Sequence, residues 1–159
     1  MADGDAFLTN PRRLAAGTAA EIVSPPPPLD LNRWARAHVR FGSESQFQGP
    51  YNPDLFPFFA RILEVLGPEH PAREVAIKKS AQLGGTVLAQ IFLGGSMDMV
   101  PCGFMYIHPT ADNAARWSKT KWKPMLRQST ALSALFADPK SRDSSNSTLY
   151  QERRDGRGW

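Results

Sequence analysis

The sequence contains a single cysteine, Cys102, among its 159 residues. An internal disulfide is therefore impossible, and the cysteine content gives no support for a disulfide-stabilised secreted domain. No apolar run approaches the roughly 20 residues that a membrane-spanning helix needs. The N-terminus carries Asp3 and Asp5 where a signal peptide would have basic and then apolar residues. We expect a soluble protein in a reducing, cytoplasmic compartment, with no membrane partner.

Histidine is also scarce, and the three histidines show no spacing typical of a metal site, so we assign them no metal. The formal net charge of +4 favours a polyanionic partner but is also common among proteins that bind none. Hydrophobic residues make up 42% of the chain, which is enough for one domain to bury a core.

The chain divides near residue 30. Residues 1–29 predict a flexible leader that ends in the proline run Ser24–Pro28, and residues 30–159 predict a folded domain. Asp30 is a good N-cap for a short amphipathic helix over Leu31–Val39. We expect residues 41–57 to form a loop without regular structure and Phe56–Leu66 to form a second helix. Gly67 and Pro68 should end that second helix.

Two short apolar runs, Val75–Ile77 and Phe104–Ile107, predict buried strands. The apolar stripe that follows Thr86 predicts a helix between them, ended by Gly94 and Gly95. Two strands joined by a helix are typical of a right-handed βαβ unit. The sequence therefore predicts an α/β fold, a parallel sheet with flanking helices like that of P-loop NTPases. Ligands of such sheets bind at the carboxyl ends of the strands, where Lys79 lies.

The stretch from Lys79 to Thr86, Lys-Ser-Ala-Gln-Leu-Gly-Gly-Thr, has features of a phosphate-binding loop. Gly84 and Gly85 give the backbone freedom to turn, and a helix N-terminus would follow, so backbone N–H groups should converge there. The standard pattern G-x-x-x-x-G-K-[ST] has its lysine directly before the hydroxyl residue. Here Gly85 occupies that position, and Lys79 stands where the first glycine would be. A lysine there can still extend over the loop to a phosphate. An ordinary turn, with Lys78 and Lys79 solvating the strand end, explains the loop equally well.

A basic segment follows the second predicted strand. Thr110 is a good N-cap for a helix from Ala111 to about Lys123, and Pro124 should kink or restart it. Helical phase does not place all its cations on one face, so a solvated surface and a nucleic-acid contact are both open. The candidate nucleic-acid residues are Arg116, Lys119, Lys121 and Lys123.

The last part of the chain predicts a helical turn over Ala131–Phe136, a strand over Thr148–Glu152 and a hairpin turn at Asp155–Gly156. A hairpin needs its second strand, which has barely begun at Trp159. We therefore expect these residues to be the front portion of a longer protein.

Four separate stretches resemble the N-terminal ATPase region of the lambda-like family of large terminase subunits from tailed bacteriophages. They are Lys79–Thr86, similar to the family's loop with a lysine at its front, Tyr106–Arg116, Lys123–Arg127 with Leu132 and Leu135, and Asn146–Leu149 leading to Asp155–Trp159. Together they span about Trp34 to the last residue, in the same order as in the family.

The resemblance implies a motor in the bacterial cytoplasm that hydrolyses ATP with Mg²⁺ to drive double-stranded DNA into a procapsid. Its implied partners are a terminase small subunit and the portal, and the family's full-length enzyme also cuts concatemeric DNA with a metal-dependent nuclease domain. Lys79 would contact phosphate, Thr86 would lie on the Mg²⁺ side, and Tyr51 or Phe58 could stack on the base. The implied nucleotide-binding set is Lys79, Ser80, Ala81, Gln82, Leu83, Gly84, Gly85 and Thr86.

Two features keep other functions open. Many relatives carry a lysine where this chain has Gly85, so Lys79 acts alone or the site is weakened. No apolar strand that ends in Asp-Glu is present to supply the second carboxylate that phosphoryl transfer to water needs. We therefore expect these 159 residues alone to hydrolyse little ATP and to cut no DNA. The alternatives are a non-catalytic DNA-binding or packaging-interaction remnant of a prophage terminase, and an unrelated P-loop enzyme such as a kinase.

Overall fold

The computed structural model describes residues 28–43, 45, 47–100, 103–136 and 147–154. The predicted leader up to residue 27 and the predicted hairpin turn at Asp155–Gly156 lie outside these residues. In chain order the elements are α1 (Leu31–His38), β1 (Arg40–Phe41), β2 (Gly49–Pro50), a 3₁₀ turn (Pro53–Leu55), α2 (Phe59–Leu66), α3 (Gly85–Met99), α4 (Ala111–Trp117), a π-helix (Ser118–Trp122), α5 (Lys123–Gln128) and α6 (Thr130–Leu135).

Helix α3 lies at the centre of the fold. It packs against α1, α2 and α6, and its buried side chains include Leu88, Ile91, Leu93 and Met97. These residues fall on several sides of the helix, as expected for a helix that is enclosed by other elements and does not lie on a surface. The N-terminus of α3 directly follows the predicted phosphate loop. Because α3 is packed into the core, that helix end is held in place beside the loop.

The predicted end of this helix at Gly94–Gly95 was wrong, because α3 continues to Met99. Both glycines are close-packing positions in the middle of the helix. A Cβ on Gly94 would lie 2.6 Å from the Trp34 ring, and a Cβ on Gly95 would lie 2.6 Å from Cδ2 of Leu31. The missing side chains let α1 approach α3 closely, and tertiary packing here outweighs the usual helix-ending tendency of paired glycines.

Two predicted helix starts are confirmed by their capping hydrogen bonds. The Asp30 carboxylate accepts hydrogen bonds from the N–H groups of Asn32 and Arg33 at the start of α1. The Thr110 hydroxyl accepts one from the N–H of Asn113 at the start of α4. Such caps satisfy N–H groups that have no partner within the helix.

Helix α2 begins at Phe59, three residues later than predicted. A 3₁₀ turn over Pro53–Leu55, capped by the Asn52 side chain, precedes these residues, and a turn at Pro57 and Phe58 leads into the helix. The helix ends at Leu66, before Gly67 and Pro68 as predicted. The segment predicted to lack regular structure, residues 41–57, contains β2 and the second residue of β1. The two strands pair with Arg40 opposite Pro50 and Phe41 opposite Gly49.

The parallel sheet was predicted wrongly for the residues that the structure describes. The one sheet among them is the two-stranded antiparallel pair of β1 and β2, and neither Val75–Ile77 nor Phe104–Ile107 forms a strand. Exposure alternates along the second segment, where Met105 and Ile107 are 83% and 79% exposed. Apolar β-prone residues form a ladder only where another strand supplies hydrogen bonds, and local sequence does not show whether one does.

The basic segment is one continuous run of helix with a change of type in its middle. Helix α4 passes into the π-helix at Ser118, and α5 begins at Lys123, with Pro124 in its first turn. The predicted kink or restart was placed at Pro124, whereas the change of helix type begins at Ser118 and α-helix resumes at Lys123, one residue before the proline. Trp122 is fully buried, and its indole N–H donates to Oε1 of Gln151 at 3.0 Å. The segment is thereby held against the core.

Near the end of the described chain, the predicted strand over Thr148–Glu152 does not form. Gln151, Glu152 and Arg153 are bridge residues instead, and Arg153 pairs antiparallel with Phe136. Beside this bridge, an Arg153 guanidinium nitrogen donates to the carbonyl of Met97. No helix among the described residues has the length and apolar character to cross a membrane.

Candidate functional site

The chain bends sharply between Lys79 and the first turn of α3. Gln82 and Gly84 both have left-handed backbone, with φ of 59° and 68°. Helix α3 begins at Gly85, and the N–H of Leu88 donates to the carbonyl of Gly84 at 3.0 Å as a first helical hydrogen bond. Among the described residues, no side chain caps this end. The N–H groups of the first turn and the positive end of the helix dipole therefore face the bend.

Gly84 is required by its surroundings as well as by its backbone. A Cβ at this position would lie 2.9 Å from Cζ of Phe59, closer than van der Waals contact allows. Phe59 is 1% exposed and belongs to the core, so it has little room to move. Gln82 adopts a left-handed conformation without being glycine, and such conformations are concentrated at functional sites.

Lys79 folds back over Gly85. A Cβ on Gly85 would lie 3.1 Å from Cδ and 3.2 Å from Nζ of Lys79, with Cε closer still. The ammonium group donates to the carbonyl of Ser80 at 3.3 Å. The lysine stem therefore fills the space that a side chain at position 85 would use, and its charge lies at the N-terminus of α3.

A cleft of about 350 Å³ opens beside this bend. That volume is at the small end of the range for small-molecule sites. The charged side chains among its described lining residues are both lysines. The lining residues are Phe41, Ser45, Phe47, Phe56, Lys79, Gln82, Gly84, Gly85, Thr86, Val87, Gln90 and Lys121.

One wall of the cleft is aromatic. The rings of Phe47 and Phe56 meet edge to face with centroids 5.7 Å apart, and Phe56 stacks on the buried ring of Phe59 at 5.1 Å. Neither Tyr51 nor Phe58, the predicted base-stacking residues, is part of this lining; each lies against Phe56 instead, with centroids 6.5 and 6.4 Å from it. The aromatic side chains that line the cleft are those of Phe41, Phe47 and Phe56.

Burial of the Tyr51 hydroxyl raises its pKa, an effect that the positive charge of Arg36 partly offsets. The phenol therefore stays neutral at any physiological pH and adds no negative charge behind the aromatic wall.

A buried amide joins α3 to a second basic residue on the cleft. Gln90 is 7% exposed, and its Nε2 donates to the carbonyl oxygen of Lys121 at 2.9 Å. This hydrogen bond connects α3 to the π-helix and brings the half-buried Lys121 to the cleft. Two lysines from distant parts of the sequence therefore share one cleft.

The other predicted nucleic-acid residues do not line the cleft. Arg116 and Lys119 are exposed, and Lys123 is half-buried. A guanidinium nitrogen of Arg116 donates to Oδ1 of Asn113 one turn earlier, at 2.8 Å. The structure therefore separates Lys121 from the three other cations with which it was grouped.

Several cleft residues could not be found from the sequence. Phe47 and Phe56 lie in the segment predicted to be irregular, where no periodicity assigns a side chain to a surface. Lys121 was named only as a candidate for nucleic acid because it lies in the basic segment, and its position beside the loop depends on tertiary packing that the sequence does not show. Gln90 offered one signal, since a polar residue within the apolar stripe of a buried helix needs a hydrogen-bond partner.

Comparisons with known proteins identify the family of the chain. Searches of the curated proteins and of the solved structures gave no match. A family model did match, and it covers residues 45–158, which include the loop, the aromatic wall and the basic helices. The chain belongs to the family described as the ATPase domain of the phage terminase large subunit gpA, which supports a role in phage DNA packaging.

Proposed function

We propose that the cleft beside α3 binds ATP with Mg²⁺, and that the chain is the ATP-binding portion of a terminase large subunit that powers the packaging of double-stranded DNA into procapsids. The position of Lys79 over Gly85, at a helix N-terminus that no side chain of the described residues caps, supports this proposal most strongly. Anions are favoured at such an end because N–H groups and the helix dipole point to it. A lysine at the same point adds a full positive charge.

The residues present fit a nucleoside triphosphate. The backbone N–H groups of residues 84–86 and the Lys79 ammonium would hold the phosphates, and the Thr86 hydroxyl would face the metal. Phe47 and Phe56 offer the base a stacking surface on the same cleft. Bound Mg²⁺ would neutralise charge on the phosphate oxygens. The terminase small subunit and the portal belong to this proposal as partners in packaging.

Titration of the full chain with Mg-ATP tests the proposal. We expect saturable binding that Lys79→Ala weakens roughly tenfold, since a charge-assisted contact to phosphate is lost. Lys78→Ala is the matched control, because it removes the same charge from an exposed neighbour that does not line the cleft. Equal affinities for wild type and Lys79→Ala would exclude Lys79 from the site. Absence of ATP binding by the wild type would exclude the function.

A contact with the DNA backbone is a second proposed role, supported by the exposure of Arg116 and Lys119 on the basic helices. Each phosphate contact contributes about one to the slope of log affinity against log salt. The double variant Arg116→Glu/Lys119→Glu should therefore lower that slope by about two. If the slope is unchanged, this surface is only solvated. If the chain binds DNA but not ATP, the non-catalytic packaging remnant becomes the better explanation.

A further inference from the structure

Lys121 is a cation on the cleft that does not come from the loop. It belongs to the π-helix, about 40 residues after Lys79 in the chain, yet it lines the same cavity as Lys79, Gly85 and Thr86. Its side chain is half-buried, whereas Lys119, two residues earlier, is exposed. The fold therefore turns one of the basic residues inward and leaves its neighbour in solvent.

The backbone around Lys121 is held on two sides. The buried Gln90 amide donates to the Lys121 carbonyl, and the next residue, Trp122, is fully buried with its indole hydrogen-bonded to Gln151. Gln90 lies one helical turn after Thr86 on α3. The anchor of Lys121 is therefore built into the same helix whose N-terminus forms the bend.

The π-helix changes the direction in which the side chains of this segment point. Residues Ser118–Trp122 form a π-helix between two α-helical stretches. A π-helical turn contains more residues than an α-helical turn, so it rotates the side chains that follow relative to an uninterrupted α-helix. Such short π segments occur frequently at functional sites.

We propose that Lys121 is the second phosphate-binding cation of the cleft and compensates for the lysine that the loop lacks at Gly85. This inference rests on the proposed ATP-binding function of the same site. Lys121 would contact the outer phosphates of a nucleoside triphosphate from the π-helix, while Lys79 contacts them from the loop itself. The site would then combine one cation from the loop and one from the π-helix in place of the lysine within the standard loop.

Binding of ATP, ADP and AMP, each with Mg²⁺, to the full chain tests the inference. Lys121→Gln keeps a polar side chain of similar length and removes the charge. We expect it to weaken ATP binding roughly tenfold and AMP binding less than about twofold, because AMP lacks the outer phosphates. Lys121→Arg keeps the charge and should retain ATP affinity within about threefold. Lys78→Ala again controls for the loss of one positive charge from the exposed surface.

The outcomes separate the inference from the function on which it rests. If Lys79→Ala weakens ATP binding and Lys121→Gln does not, the loop binds phosphate without Lys121 and the inference is overturned alone. Equal losses of ATP and AMP affinity in Lys121→Gln would show a general disturbance of the cleft and would also overturn it. If the wild type binds no ATP, the proposed function and the inference both fail.

Discussion

The aliphatic stem of Lys79 lies over Gly85, where a Cβ would meet its Cδ at 3.1 Å and its Nζ at 3.2 Å. Lysine at the front of the loop and glycine at its end are therefore complementary. A side chain at position 85 and the observed position of Lys79 compete for the same space. The lysine that the standard loop pattern places directly before its hydroxyl residue is absent from a place that Lys79 already fills.

Gly85→Ala should separate stability from ligand binding. The new methyl group meets a flexible lysine side chain, so Lys79 can move aside and the fold is not strained. Alanine also favours a helix by up to about 1 kcal/mol relative to glycine. We expect an unchanged or slightly higher Tm together with ATP affinity that is several-fold weaker. Unchanged affinity would show that the position of Lys79 over Gly85 is not needed for binding.

Gly84→Ala should destabilise the fold itself. Its φ of 68° disfavours an L-residue by about 1 kcal/mol or more, and the added Cβ would lie 2.9 Å from the buried Phe59 ring. Gln82, with φ of 59°, provides the opposite change, since Gln82→Gly should relieve backbone strain and leave stability equal or higher. Urea unfolding of both variants measures these changes in the free energy of unfolding. A Gly84→Ala protein as stable as the wild type would contradict the left-handed backbone and the close packing against Phe59 at this position.

Gly95→Ala should destabilise by about 1–2 kcal/mol, because overpacking against α1 outweighs the gain in helix propensity. The Cβ would lie 2.6 Å from Cδ2 of Leu31 and 3.3 Å from the Trp34 ring. Leu31→Ala makes room for it, so the double variant should be more stable than the sum of the two single effects predicts. Additive effects in this double-mutant cycle would mean that the two helices are not in close contact here.

The indole N–H of Trp34 donates to Oδ2 of Asp98 at 2.7 Å, linking α1 to the last turn of α3. Trp34→Phe removes this donor to a charged group and should cost about 1.5–3 kcal/mol, including lost packing. Asp98→Asn keeps an acceptor oxygen and should cost less. Thermal or urea unfolding of the two variants provides the comparison. An Asp98→Asn loss as large as that of Trp34→Phe would show that the charge, and not the hydrogen bond, is important.

Local features of the sequence were predicted well because they depend on neighbouring residues. Asp30 and Thr110 cap their helices as expected, and the bend over residues 79–86 precedes a helix. The interaction of Gly95 with Leu31 and the continuation of α3 beyond it depend on a helix more than 60 residues away in the chain, so a local rule for glycine failed there.

The predicted strands failed for a related reason. Val75–Ile77 and Phe104–Ile107 have the composition of strands, but a strand also needs a hydrogen-bonding partner. Among the described residues they have none in a sheet, and Ile77 is 42% exposed. Only part of the cleft could be predicted from the sequence. Its loop has a recognisable sequence pattern, whereas Phe47 and Lys121 reach the cleft only through tertiary packing.

The central claim is that triphosphate binds against the N-terminus of α3 under Lys79. It is tested most directly by following the backbone amide signals of Gly84, Gly85 and Thr86 in ¹H–¹⁵N spectra of the full chain during titration with Mg-ATP. We predict large, saturable shifts at these three amides that Lys79→Ala reduces at equal ATP concentration. Saturable ATP binding that leaves these amides unshifted would place the nucleotide elsewhere and contradict the account.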